Sequence, residues 1–177
     1  GGRAGYSTGG IIFTSAISGI DQALWDLKGK ALGVPVSTLL GGPRTAKIPV
    51  YSHFGGHDIQ EMVDDVHRVM DEGFNAVKSD ITIFDSSGPG ITRQQLRAID
   101  ERYSALRQAI GDDVEVMDDP HARFNPAAAL EIARLIEPYR LLFFEEPTIP
   151  GDPDGYARVR QGSSTPIAGS ERLTSKN

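Results

Sequence analysis

Three acidic residues, Asp119, Glu145 and Glu171, recur 26 residues apart, each at the end of a short apolar run: VEVMDD (114–119), LLFFEE (141–146) and PIAGSE (166–171). If the runs are neighbouring parallel strands, the spacing brings three carboxylates to matching strand ends. Convergent anions repel unless a cation sits among them, so the pattern points to a metal site. Oxygen donors without cysteine favour a hard ion such as Mg2+ over Zn2+. Asp119 and His121 are two apart, and strand periodicity puts them on one inward face if the strand continues past Pro120. A metal-held carboxylate beside an imidazole makes an acid–base pair near neutral pH. The plainer reading of this pair is a loop-capping Asp119 and a solvated His121. Glu145 and Glu146 alternate, so one faces inward and the other makes a surface or supporting contact. Arg123 or Arg172 pairing with a buried glutamate is the structural alternative to a metal, and a metal-free, glycosidase-like carboxylate pair is a more distant one. Lys78 and Asp80 end another apolar run. Lys78 either steadies an anionic substrate group or snorkels at the rim. His53 is placed at the mouth, His57 and His67 on the surface, and Trp25 in helix packing.

These side chains need a scaffold. Ala16, Ile17, Ile20, Leu24, Leu27 and Ala31 fall at helical spacing, after a glycine-rich start expected to be a loop, and Gly33 and Pro35 stop the helix. STLLGGPR (37–44) reads as one helical turn and a loop. Strands are expected at 48–54, 74–80, 114–119, 141–146 and 166–171. Helices are expected at 58–72 with Asp58 as cap, at 93–110 behind a Thr92/Gln95 capping box, at 126–137 behind Asn125-Pro126, and near 153–161. SSGPG (86–90) is a loop. The alternation βαβαβαβαβ requires a parallel sheet or a (β/α) barrel. No glycine-rich phosphate loop follows a strand, and acidic residues stand at the carboxyl ends of several strands, so the barrel is favoured. Five strands do not close an eight-stranded barrel, and further units are expected after Asn177.

The chain has 177 residues, no cysteine, 39% apolar and 24% charged residues, and a net charge of −6. This excludes disulfides and thiolate sites and argues against nucleic acid as a partner. No apolar run approaches the roughly 20 residues of a membrane span, and no signal peptide is seen, so a cytoplasmic location is expected.

The ordered set SAISGIDQALWDLKGKALGVPVSTLLGG, AVKSD, DPHARFNP, IEPYR, FFEEP and AGSERL resembles the enolase superfamily. The match is to its mandelate racemase/muconate lactonizing enzyme family, and within it to sugar-acid dehydratases of galactonate dehydratase type. The resemblance implies an α/β fold, a modified (β/α)7β TIM-like barrel, preceded by an α+β capping domain. Residues 1–46 would be the end of the capping domain and linker, and 47–177 the first five barrel strands. It further implies Mg2+ as cofactor, Asp119, Glu145 and Glu171 as its ligands, and His121 as general acid. Lys78 matches the first Lys of a Lys-x-Lys element whose second position, the base in racemases, is here Asp80. The base is therefore expected on a later strand, beyond Asn177. Pro120 departs from the more usual apolar or aromatic residue. The implied reaction is dehydration of a sugar acid such as D-galactonate to a 2-keto-3-deoxy acid through an enediolate, by a homo-oligomeric parent. Mannonate dehydration and acid-sugar racemisation or epimerisation are the alternatives. The isolated 177 residues are expected to be inactive.

Overall fold

The computed structural model describes residues 10–42, 45, 47–82, 88–149, 152–169 and 171. Their contacts divide the chain into two units, residues 1–49 with 171–177, and residues 50–170. Among the described residues no helix is long and apolar enough to cross a membrane.

The first unit is built on α1 (Gly10–Leu32) and the single turn α2 (Val36–Leu39). Helix α1 starts earlier than the apolar spacing predicts, because Gly10 is already helical; residues 1–9 of the expected loop lie outside the described residues. It stops where expected. Gly33 adopts φ 67°, and Val34 N–H returns to Gly29 O at 3.0 Å, a left-handed cap that favours glycine. Ile17, Ile20, Leu24 and Leu27 are all more than half exposed. Trp25 is half-buried, with the Lys28 ammonium 5.3 Å from its ring centroid.

The second unit alternates β1 (Ser52–His53), α3 (Ile59–Asp71), β2 (Ala76–Ser79), α4 (Arg93–Ile110), β3 (Glu115–Asp118), α5 (Pro126–Leu135), β4 (Phe143–Glu145), α6 (Pro153–Gly162) and β5 (Ile167–Ala168). All strand pairs are parallel, and the sheet order is β1-β2-β3-β4-β5. An order that never reverses is the winding of a (β/α) barrel; a doubly wound sheet reverses at a switch point. The chain is thus an α/β protein carrying part of a (β/α) barrel.

The helices begin where local chemistry dictates. The Asp58 carboxylate accepts from Glu61 N–H, Thr92 and Gln95 close a reciprocal capping box, and Asn125 accepts from Ala128 N–H ahead of Pro126. Their apolar faces meet the sheet: Met62, Val66 and Val69 from α3, Ile99, Tyr103 and Leu106 from α4, and Ala129, Ile132 and Ala133 from α5 are fully or almost fully buried with Val77, Val116 and Phe144. The strands are shorter than expected at both ends. Flanking residues that carry strand-like side chains leave the ladder, and Asp119, Glu146 and Glu171 all lie beyond their strands.

Between β1 and α3 the backbone folds tightly onto the helix. Gly56 has φ 159°, and a Cβ there would stand 2.3 Å from Met62 N. Gly56→Ala must push the first turn of α3 away. A loss of about 1–3 kcal/mol is expected, measurable as a lowered denaturant midpoint.

Candidate active site

Side chains alternate across the sheet, and the register decides which residues share the face opposite the helices. Val77 and Val116 are paired and pack toward the helices, so Lys78, Met117 and Phe143, in register with one another, project to the other side. Asp119 directly follows β3, and Glu145 ends β4, with the same parity. The three polar residues meet. Lys78 Nζ donates to Glu145 Oε2 at 2.7 Å and to Asp119 Oδ2 at 3.2 Å. The Lys78 and Asp119 side chains are 9% and 7% exposed and Glu145 20%, so the group is enclosed with Glu145 nearest solvent. Nζ also lies 5.5 Å from the ring centroid of Tyr51. Burial alone would lower the Lys78 pKa, but the hydrogen bonds and charges of Glu145 and Asp119 outweigh it and hold the group above the ordinary lysine range. Lys78 is a fixed cation between two carboxylates. This overturns the snorkelling alternative, and the cation meeting Glu145 is a lysine rather than Arg123; Arg172 lies outside the described residues.

His121 reaches the site by a different route from the one expected. The strand does not persist past Pro120. It ends at Asp118, and His121 and Ala122 both take left-handed backbone, φ 54° and 59°. The turn is closed by His121 N–H donating to Asp119 Oδ1 at 3.0 Å and by Ala122 N–H donating to Glu146 O at 2.6 Å. The imidazole, half exposed, has Nε2 3.8 Å from Asp119 Oδ2. Asp119 is therefore held on one oxygen by a backbone amide and on the other by Lys78. Asp80 lies past the end of β2 and is exposed, as is His53 on β1.

Two further residues carry much of the local order: Asp118, which the sequence reading missed, and Glu146, whose supporting contact was one of the two options left open for it. Asp118, on the helix side of β3, is fully buried; its Oδ2 accepts from Tyr103 OH at 2.7 Å and its Oδ1 from Ile81 N–H at 2.8 Å. Burial lifts its pKa to about 7, against the lowering effect of hydrogen bonds including these two. The Tyr103 hydroxyl is driven well up by burial and then by the Asp118 charge. Glu146 is 3% exposed rather than at the surface and takes φ 40°. It accepts a short hydrogen bond from Tyr156 OH on α6, and its own N–H donates to Ala168 O on β5. Burial, then that bond, raises the Tyr156 pKa. In sequence, the signals were an acidic residue at an apolar-parity position, Asp118, and a doubled acid before proline.

Among the described residues no group of three or more His, Asp or Glu side chains is arranged to hold a metal ion. Two carboxylates do converge, on one cationic nitrogen and with oxygen donors alone, which is a donor set suited to a hard divalent ion. Glu171 follows the end of β5 by three residues and groups with the other unit.

Successive parallel strands presenting a lysine and two carboxylates at their carboxyl ends define a (β/α)-barrel protein with a charged, acid-rich rim. Residues 61–177 match the family described as "Enolase C-terminal domain-like", and residues 3–41 match the "Mandelate racemase / muconate lactonizing enzyme, N-terminal domain". The chain belongs to the enolase superfamily, in its mandelate racemase/muconate lactonizing enzyme family. It is 37% identical over 183 residues to a D-galactonate dehydratase family member of Paenibacillus sp. (strain JDR-2), covering 93% of this chain and 45% of that protein. A crystal structure of an enolase superfamily member from Salmonella Typhimurium superposes with a TM-score of 0.86 at 32% identity, covering 93% of this chain and 47% of that one. An enolase from Pantoea ananatis with bound D-gluconate and Mg superposes with a TM-score of 0.75 at 32% identity, covering 88% of this chain and 45% of that one. The chain thus spans about half the length of these relatives.

Proposed function

We propose that the full-length protein carrying this chain is a cytoplasmic, Mg2+-dependent hydro-lyase that dehydrates a sugar acid, an aldonate such as D-galactonate or D-gluconate, to a 2-keto-3-deoxy acid. The observation that carries this reading is the convergence of Asp119 and Glu145 on Lys78 at the ends of adjacent parallel strands, in a chain of this family. Relatives named for galactonate dehydration and a neighbour holding gluconate and Mg support the substrate class. Asp119, Glu145 and Glu171 would hold the ion, the third supported by its 26-residue spacing along the chain and by resemblance. We read residues 1–46 as the end of a capping domain and 47–177 as barrel.

When bound, Mg2+ would supply Lewis-acid polarisation of the substrate carboxylate. Lys78, a permanent cation at the same point, attracts that carboxylate and offsets the charge that develops as the α-proton leaves. A base contributed elsewhere in the full-length protein would take that proton; Asp80, just past the end of β2, is exposed. His121 stands at the rim on a turn anchored to Asp119, and gives a proton to the 3-hydroxyl, which departs as water. The resulting enol ketonises to the keto acid.

Incubating the full-length protein with a panel of aldonates and assaying 2-keto acids tests the reading; formation of keto acid from none of them would sink it. His121→Asn, chosen because asparagine tolerates the left-handed backbone, is expected to slow water loss by about 10²–10⁴-fold. Exchange of the α-proton with solvent, followed by NMR in D2O, should continue. Dehydration at the wild-type rate would remove His121 from the mechanism.

A further inference from the structure

We propose that Asp118 is a positioning residue for this site, fixing Lys78 and Asp119 relative to each other by tying the exit of β2 to the exit of β3. The inference rests on the reading of Asp119 as a ligand and deepens it. Asp118 shares its face with Val116 and Phe144, both fully buried in the core, where an apolar side chain would satisfy packing and an ionisable one is costly. What the carboxylate does there is specific. Its Oδ1 takes the N–H of Ile81, three residues after Lys78, and its Oδ2 takes the hydroxyl of Tyr103 from α4. Tyr103 is itself held by stacking on Tyr139, ring centroids 5.2 Å apart and planes 22° from parallel.

The next residue completes the frame. Asp119 N–H donates to Ser79 O at 2.9 Å, and Ser79 pairs with Asp118 in the ladder. Two consecutive aspartates therefore face opposite sides of the strand. One binds the framework on the helix side; the other meets Lys78 on the site side. Without Asp118, Ile81 N–H loses its acceptor in a buried place, and the segment following Lys78 loses its link to β3. A ligand shell left loose in this way forfeits metal affinity, typically 10–100-fold when a supporting partner is removed.

The test compares Asp118→Ala, Asp118→Asn, Tyr103→Phe and, as a destabilised control in α3, Val69→Ala, all in the full-length protein. Amide hydrogen exchange at Ile81 and Asp119 is read alongside Mg2+ affinity by calorimetry and thermal stability. Asp118→Ala is expected to speed exchange at both amides and to weaken Mg2+ binding by about 10–100-fold. Asp118→Asn, which keeps an acceptor for Ile81, should restore most of both, and Tyr103→Phe should fall between. Val69→Ala should lower thermal stability while leaving both readouts alone. Should Asp118→Ala not fold, Tyr103→Phe decides, since unchanged exchange at Ile81 and Asp119 would then overturn the proposal. Wild-type exchange and affinity in Asp118→Ala, or losses that merely track stability across all variants, would overturn it as well. A wild-type protein that binds no Mg2+ defeats the ligand reading, whereas a failure confined to the exchange readout defeats the positioning role.

Discussion

Glu145→Gln is expected to lower kcat/KM for sugar-acid dehydration by at least about 10³-fold, or about 4 kcal/mol of transition-state stabilisation. The substitution keeps the shape of the side chain and removes one of the two carboxylate groups that converge on Lys78. A metal acting as Lewis acid contributes several kcal/mol of charge stabilisation, and losing a ligand forfeits most of it. Packing changes little, because the Glu145 side chain is 20% exposed and an amide still accepts from Lys78. Rate and metal affinity should therefore fall together while the melting temperature stays nearly constant. Steady-state kinetics with a Mg2+ titration checks this; a variant that reaches wild-type kcat at saturating Mg2+ with unchanged affinity would exclude Glu145 as a ligand.

Lys78→Met carries the second large effect, and it acts on stability as well as chemistry. Lys78 and Asp119 are both enclosed, and removing the ammonium leaves two carboxylates facing each other in a poorly solvated place. Breaking an enclosed ion pair from one side costs about 3–5 kcal/mol. Because Glu145 retains some solvent, the lower end of that range is expected here. A divalent ion binding the same oxygens would neutralise them, so added Mg2+ should raise the stability of the variant by more than it raises that of the wild type. Activity should not return, since Lys78 is also the group proposed to attract the substrate carboxylate. Denaturant melts of the full-length protein with and without Mg2+ give the answer. Equal Mg2+ stabilisation of both proteins would separate Lys78 from the carboxylates it bridges.

Much of this arrangement was legible because it follows from local rules. The Thr92/Gln95 capping box opens α4 at Arg93, and the Asn125 cap with Pro126 opens α5, as their side-chain chemistry requires. The period of two, with the parallel register, places Lys78, Asp119 and Glu145 on one side of the sheet. Alternation failed where the backbone stops being a strand. His121 is brought beside Asp119 by two successive left-handed residues after Pro120, a conformation that no side-chain pattern specifies. Lys78 read equally well as a rim lysine, because its burial depends on residues 41 and 67 positions away. Asp118 stayed invisible for a related reason. Its acceptor role is defined by Tyr103 and Ile81, each brought to it by the tertiary fold. Helix α1 has apolar spacing suited to burial, yet most of its large apolar residues are exposed, since spacing identifies a face without supplying what covers it.

Whether Asp119 and Glu145 serve as ligands to a divalent ion is tested most directly by Mn2+ binding to the full-length protein, followed by electron paramagnetic resonance of the free ion, with wild type beside Asp119→Asn and Glu145→Gln. One tight Mn2+ per chain, displaced by Mg2+ and lost in both variants, is the result expected. Binding that survives in both variants would place the ion elsewhere and contradict the account.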